Sequence, residues 1–177
     1  MTPEQVLAAA FAEDPLMVHL WPDPARRRQA LPLFWRSRIA SRARHGAVDL
    51  AIEDDGTIAA VAMWELPGVE SGLAHRITLV RALGRSLPRA LSATRTIDGI
   101  RPPEPHLYLA TIGTRPDRQG RGHAARLIRQ RLSTAAGPAF LVATRESNVP
   151  FYQRFGFEVA VPTRLGEVAL YPMGLTG

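Results

Sequence analysis

The segment Thr114-Arg115-Pro116-Asp117-Arg118-Gln119-Gly120-Arg121-Gly122-His123-Ala124-Ala125 gathers residue types suited to holding an anion. Gly120 and Gly122 allow backbone conformations and close approaches that a Cβ would block. A helix starting just after them leaves its first N–H groups without intrahelical partners, and its dipole favours negative charge at that end. A phosphate or pyrophosphate suits such a turn, with Arg118 and Arg121 able to add charge-assisted hydrogen bonds.

The turn needs a strand before it and a helix after it, and the flanking residues supply both. His106 to Gly113 reads as a strand, about Gly120 to Ala135 as a helix, and Ala139 to Ala143 as a second strand. A strand, helix, strand unit of this size predicts a parallel crossover. Upstream, Val48 to Ile52 and Ile58 to Trp64 flank Glu53-Asp54-Asp55-Gly56 and read as a β-hairpin. A helix is predicted from Pro3 to Phe11, capped by Thr2 and ended by Asp14 and Pro15. Another starts at Asp23 and Pro24 and runs through Ile39 toward Gly46, kinked at Pro32. Ser71 to about Gly99 has helical spacing broken near Ser86 to Pro88, and Arg101 to Pro105 is a stiff connection. A short helix from near Asn148 to Gly156 follows the crossover, then apolar runs around Val159 and from Val168 to Tyr171.

A chain of 177 residues, 46% hydrophobic and 21% charged, has the length for one compact domain over residues 1–177, with a helical elaboration at 71–99. Cysteine is absent, which excludes a thiolate nucleophile, a disulfide framework and cysteine-bearing metal sites. Lysine is absent as well, so Schiff-base chemistry and the lysine of a P-loop are excluded. All 22 basic residues are therefore arginine and stand against 16 acids, a net +6 that favours an anionic partner, either nucleic acid or a phosphorylated small molecule. His19, His45, His75, His106 and His123 lack metal-site spacing, so no metal is expected. No apolar run approaches the roughly 20 residues of a membrane span, and a cytoplasmic protein with no membrane partner is expected.

Gly120, Gly122 and Ala125 also satisfy a dinucleotide-binding fingerprint, with Glu146 beyond the next strand as a ribose acceptor. Against that reading, Thr114 to Gln119 separate the strand from the first glycine, and too little chain follows for the remaining strands and a substrate domain. Gln119-Gly120-Arg121-Gly122-His123-Ala124 instead resembles the Q/R-x-x-G-x-G/A signature of the GNAT superfamily of acyl-CoA-dependent N-acyltransferases. Asn148-Val149-Pro150-Phe151-Tyr152-Gln153-Arg154-Phe155-Gly156-Phe157 resembles the later segment of the same superfamily, and the strand Leu107 to Thr114 completes the pattern. Glu104-Pro105 ahead of Leu109-Ala110-Thr111, with Pro150-Phe151-Tyr152, resembles the puromycin N-acetyltransferase-like branch more closely. The motif-bearing match covers residues 104 to 158.

The resemblance implies an α/β (α+β) GNAT fold, a mixed and mostly antiparallel sheet flanked by helices and splayed near Gly113 to admit the cofactor. It implies transfer of an acetyl or short acyl group from acetyl-CoA to a primary amine of a small molecule, an aminonucleoside among the candidates, by a monomer or homodimer. Tyr152 would be the general acid toward the CoA thiolate, which asks the site to lower its pKa modestly from about 10. Backbone at Ile112, Gly113 and Thr114 would pair with pantetheine and face the acetyl carbonyl. Arg118, Gln119, Gly120, Arg121, Gly122, His123, Ala124 and Ala125 would hold the pyrophosphate. Asn148 would contact the cofactor or, in the preferred reading, cap its own helix. His106 is the candidate base, with Glu104, Glu65 or a water chain as alternatives. Two rival readings are a basic nucleic-acid-binding module using Arg26, Arg27 and Arg28, and a CoA-binding domain without catalysis.

Overall fold

The computed structural model describes residues 1–69 and 76–177. Helix α1 spans Pro3–Ala10, with the Gln5 side chain accepting from the Thr2 N–H at 2.8 Å. Asp14 does more than stop α1: its carboxylate accepts from the Leu16 and Met17 N–H groups and caps a further helix, α2 (Pro15–Leu20). The sequence pattern does not separate that helix, because Asp-Pro reads equally as an ending and as a cap followed by proline in the first turn. Helix α3 runs from Pro24 to Ala43 with Pro32 inside it, so the proline does not divide the helix. Arg26 donates to the Arg81 and Ala82 carbonyls, and the buried Arg27 donates to Ala12 and Trp21 and pairs with Glu13. Two of the three arginines in this run thus bind neighbouring carbonyls, while Arg28 is exposed.

Strands β1 (Val48–Ile52) and β2 (Ile58–Glu65) form the expected hairpin. After residues 70–75, where part of the predicted helical stretch lies outside the described residues, come α4 (Arg76–Leu83) and α5 (Leu87–Gly99), joined by a 3₁₀ turn. Strand β3 (Leu107–Thr114) starts one residue later than predicted, and α6 (His123–Thr134) and β4 (Ala139–Ala143) complete a parallel crossover. Helix α7 (Val149–Gln153) and strands β5 (Glu158–Val159), β6 (Thr163–Leu165) and β7 (Val168–Leu175) complete the chain's elements.

The sheet has the order β1-β2-β3-β4-β7-β5, with β6 also paired to β7. All pairings are antiparallel except β3 with β4. This is the mixed, mostly antiparallel sheet flanked by helices that the GNAT resemblance implied. One face carries Val61 and Met63 against Val6, Leu7, Leu31 and Trp35 of α1 and α3; the other carries Ala60, Ala62, Trp64 and Leu109 against Leu127 and Ile128 of α6. Alternate residues of β2 therefore serve two cores, which is why that strand reads as a continuous apolar run. Arg131 fixes α6 to β1 through Asp49 at 2.6 Å, and Asp49 also accepts from the Trp64 indole.

Two irregularities interrupt the ladder along β3. Met63 pairs with Thr111 and Trp64 with Leu109, so Ala110 is an extra residue, a β-bulge. The parallel pairing with β4 ends at Leu109 with Leu141, leaving the β4-facing edge from Ala110 to Thr114 without a strand partner.

Candidate active site

The loop after β3 is built to present backbone. Arg115 N–H bonds to Ala59 O at 2.8 Å, a 3₁₀ turn covers Pro116–Arg118, and Gly120 and Gly122 take φ of 77° and 81°. Left-handed backbone at two positions explains both glycines. A Cβ at either would meet no atom within 4 Å, so the space above the loop is open. Among the described residues, none of the five N–H groups from Arg121 to Ala125 has a protein acceptor; pairing resumes at Arg126, which bonds to Gly122 O. This row of donors at a helix N-terminus could hold an anion.

The side chains of the loop are placed differently from the expectation. Glu53, in the hairpin turn, pairs with Arg118 at 2.9 Å and Arg121 at 3.6 Å and lies 3.2 Å from His123 Nε2. Arg118 also pairs with Asp117, and Arg115 does the same at 2.8 Å. The bond to Glu53 holds the Arg118 guanidinium above its ordinary pKa. Glu53 carries no signal in the sequence because its partners lie about 65 residues on and only the sheet brings them together. Its effect is to tether the loop to the hairpin, so the backbone supplies most of the donors free for an anion.

Gly113 has a separate role. A Cβ there would lie 2.9 Å from Leu7 and 3.0 Å from Ala10 and Phe11, so glycine lets α1 lie directly on β3. Ile112 and Thr114 sit on the same unpaired stretch of strand, and Gln119 Nε2 reaches the Thr114 carbonyl at 3.4 Å.

Tyr152, on α7, is half-buried and packs edge-on against Phe151 and Phe157. Among the described residues no protein group hydrogen-bonds its hydroxyl. Burial pushes its pKa well above the usual 10, and the nearby Asp14 carboxylate adds to the shift. The direction is opposite to the expected lowering, chiefly because burial disfavours the phenolate, with Asp14 adding to it. Asp14 is buried, accepts from Thr144 Oγ1 at 2.5 Å, and has its own pKa raised by burial. Asp14, Thr144 and Tyr152 thus meet at the end of β4, beyond the point where β3 and β4 have parted. The Asp14 to Tyr152 relation spans 138 positions and left no sequence signal.

Asn148 is exposed and makes no side-chain cap bond: the turn Glu146–Asn148 is 3₁₀ and leads directly into α7, so the preferred capping role is not realised. His106 stands apart from the loop. It is buried, its Nδ1 lies 2.7 Å from Glu104 O, and its Nε2 lies 3.4 Å from the Arg101 guanidinium. Gly113 lies seven positions further along the chain, on the order of 20 Å away along the strand. Glu104 is exposed and contributes its carbonyl to His106. Glu65 is clamped by Arg42 and by Arg101 at 2.7 Å. Burial alone would raise the Glu65 pKa, but Arg42, Arg101 and Arg38 overcome it and hold it below the usual value, which makes it a poor base.

A cavity of about 680 Å³ opens on the α1–α5 side of the sheet and reaches Ala110 and Thr111 at the bulge. Its walls include Met17 and Leu20 of α2, Trp35 of α3, Leu83 of α4 and Leu91 of α5, so the helical pair predicted around 71–99 borders it. Among the described residues no cluster of metal-ligating side chains occurs, and no helix is long and apolar enough to cross a membrane.

The family model for acetyltransferases of the GNAT family matches residues 9–157, and the chain belongs to that family. Solved structures share the fold at low identity. One, a histone acetyltransferase HPA2 and related acetyltransferase from Corynebacterium glutamicum, is 24% identical with a TM-score of 0.77, covering 99% of this chain and 90% of that one. The polyamine N-acetyltransferase of Drosophila melanogaster, described as forming N-acetylagmatine, is 15% identical with a TM-score of 0.67, covering 98% and 92%. Arabidopsis thaliana Naa50, solved with a CoA-Ac-MVNAL bisubstrate analogue, is 16% identical with a TM-score of 0.50, covering 81% and 80%.

Proposed function

We propose that the chain transfers an acetyl group from acetyl-CoA to the primary amine of a small molecule, by direct attack while both are bound. The observation that carries this reading is the run of five unpaired N–H groups from Arg121 to Ala125, under open space and next to a strand edge that has lost its partner. A pyrophosphate needs donors that are fixed in place before it arrives, and a pantetheine arm needs an unpaired strand edge. The residues therefore fit acetyl-CoA, which supplies an acetyl group activated as a thioester. The chemistry named for the relatives, acetylation of agmatine and a CoA-peptide analogue, supports the same reaction class.

In this reading the N–H groups of Arg121 to Ala125 bind the pyrophosphate, with Gln119 and Gly120 shaping the turn and Arg118 held to Glu53. Backbone at Ile112, Gly113 and Thr114 orients the acetyl end, and the bulge at Ala110 turns the strand edge toward the 680 Å³ cavity, where the amine enters. Tyr152 donates a hydrogen bond to the sulfur as negative charge develops there; its raised pKa keeps the phenol protonated, and the thiolate takes up the proton that the amine releases. His106 is too far along β3 to reach the same point, so the amine proton leaves through water in the cavity, from the neutral fraction of the amine.

Release of free CoA thiol from acetyl-CoA, measured across a panel of amines that includes agmatine and an aminonucleoside, tests the reading. Amine-dependent release supports it. Tight acetyl-CoA binding with no release for any amine would replace it with a CoA-binding domain that lacks catalysis.

A further inference from the structure

The inner end of the cavity is unbalanced in charge. Arg38, Arg42 and Arg101 converge on one carboxylate, Glu65, whose two oxygens are taken by Arg42 and by Arg101 at 2.7 Å. Arg38 lines the cavity, and among the described residues no carboxylate lies within ion-pair distance of it. Burial and the neighbouring Arg42 lower its pKa to about 10, so it remains charged at neutral pH. Asp98 also lines the cavity, but it is exposed and acts on Arg38 only at longer range. Tyr108, pushed up to about 12 chiefly by burial, stays neutral beneath the Arg101 guanidinium, which lies 4.1 Å from its ring. A half-buried cation without a counterion is costly, and Arg38 on the cavity wall is suited to a ligand that supplies the missing anion.

We propose that the acceptor amine carries a carboxylate or phosphate group, bound by Arg38 at the inner end of this cavity, with an apolar body between that group and the amine. This rests on the acetyl-transfer reading and narrows its substrate class. The span is set by the strand: from Thr111 at the bulge to Tyr108 is three residues, about 10 Å at the usual rise. Val80 and Leu91, apolar and exposed, line the path and suit a hydrocarbon or aryl body. A second cationic group, as in agmatine, would meet Arg38 and Arg101 instead of a counterion.

The test compares 6-aminohexanoate and 5-aminopentyl phosphate with hexylamine and agmatine as acceptors, in wild type and in Arg38→Gln and Arg38→Lys. The wild type is expected to prefer one of the anionic amines over hexylamine by tenfold or more in kcat/KM. Which of the two wins distinguishes carboxylate from phosphate. Arg38→Gln should reduce that preference to about twofold or less, and Arg38→Lys should retain part of it. Equal rates for anionic and neutral amines, or a preference for agmatine, would overturn the inference while leaving acetyl transfer intact. A binding readout covers the case of no turnover: 6-acetamidohexanoate or its phosphate analogue should raise the melting temperature of the wild type but not of Arg38→Gln, while N-hexylacetamide raises both equally or neither. No selective rise would overturn the anion subsite on its own, whereas a selective rise without amine-dependent release of CoA thiol would count against the acetyl-transfer reading alone.

Discussion

Tyr152 and Asp14 show how far a residue's chemistry depends on what folds against it. Among the described residues nothing bonds the phenol hydroxyl, and its pKa is raised by burial and by Asp14, so in the proposed reaction it serves as a hydrogen-bond donor to the sulfur that stays protonated. Tyr152→Phe is predicted to lower kcat by about 10²-fold with little change in acetyl-CoA affinity. Unchanged kcat in a thiol-release assay would remove Tyr152 from the chemistry. For Asp14 the folded pKa is raised above the unfolded value, so its contribution to stability is full below about pH 3.8 and is lost as pH rises through the folded pKa. Asp14→Asn keeps an oxygen for the Leu16 and Met17 N–H groups, and its melting temperature should gain on that of the wild type as pH rises above about 4. A difference that is constant with pH would contradict the assignment.

At the scale of elements, two glycines in one strand-loop-helix unit do unlike work. Gly122 is needed for its left-handed backbone, with open space around it, so Gly122→Val should cost about 1–2 kcal/mol in the free protein and weaken acetyl-CoA binding further. Gly122→Asn should be milder in both, and calorimetric titration checks the order. Gly113 is needed for proximity to α1, so Gly113→Ala should lower stability by about 1–3 kcal/mol in a denaturant melt, through overpacking against Leu7, Ala10 and Phe11. The turn around Gly120 and Gly122, the parallel crossover and the β1–β2 hairpin are legible in the sequence because each is specified by residues close together in the chain. The bulge at Ala110 is not, since it exists only as a mismatch of register with β2. Nor is the capping of α2 by Asp14, where one residue type serves as both stop and start.

Across the whole molecule, the net charge of +6 turns out to be distributed unevenly in function. Arg26 and Arg27 bind carbonyls between helices, Arg118 and Arg121 are tied to Glu53, Arg131 anchors α6, and Arg38, Arg42 and Arg101 surround the cavity's inner end. A composition that suggested a surface for nucleic acid is thus spent in good part on internal contacts that only long-range packing reveals. Glu65 is the member of this network on which acid stability should turn. Its folded pKa is depressed, so its contribution is present above the usual value near 4.5 and is lost as pH falls through the folded pKa. Glu65→Gln should cost roughly 3 kcal/mol near neutral pH, because Arg42, almost fully buried, loses its counterion, and the variant's unfolding should depend less on pH below about 4.5 than the wild type's. Equal acid sensitivity of the two proteins would contradict this.

Backbone amide shifts followed by NMR during a titration with acetyl-CoA test the central claim most directly. The largest changes should fall on Arg121 to Ala125 and on Ile112 to Thr114, saturating together at one ligand per chain. Saturable binding with those amides unmoved, or with the large shifts elsewhere, would contradict the account.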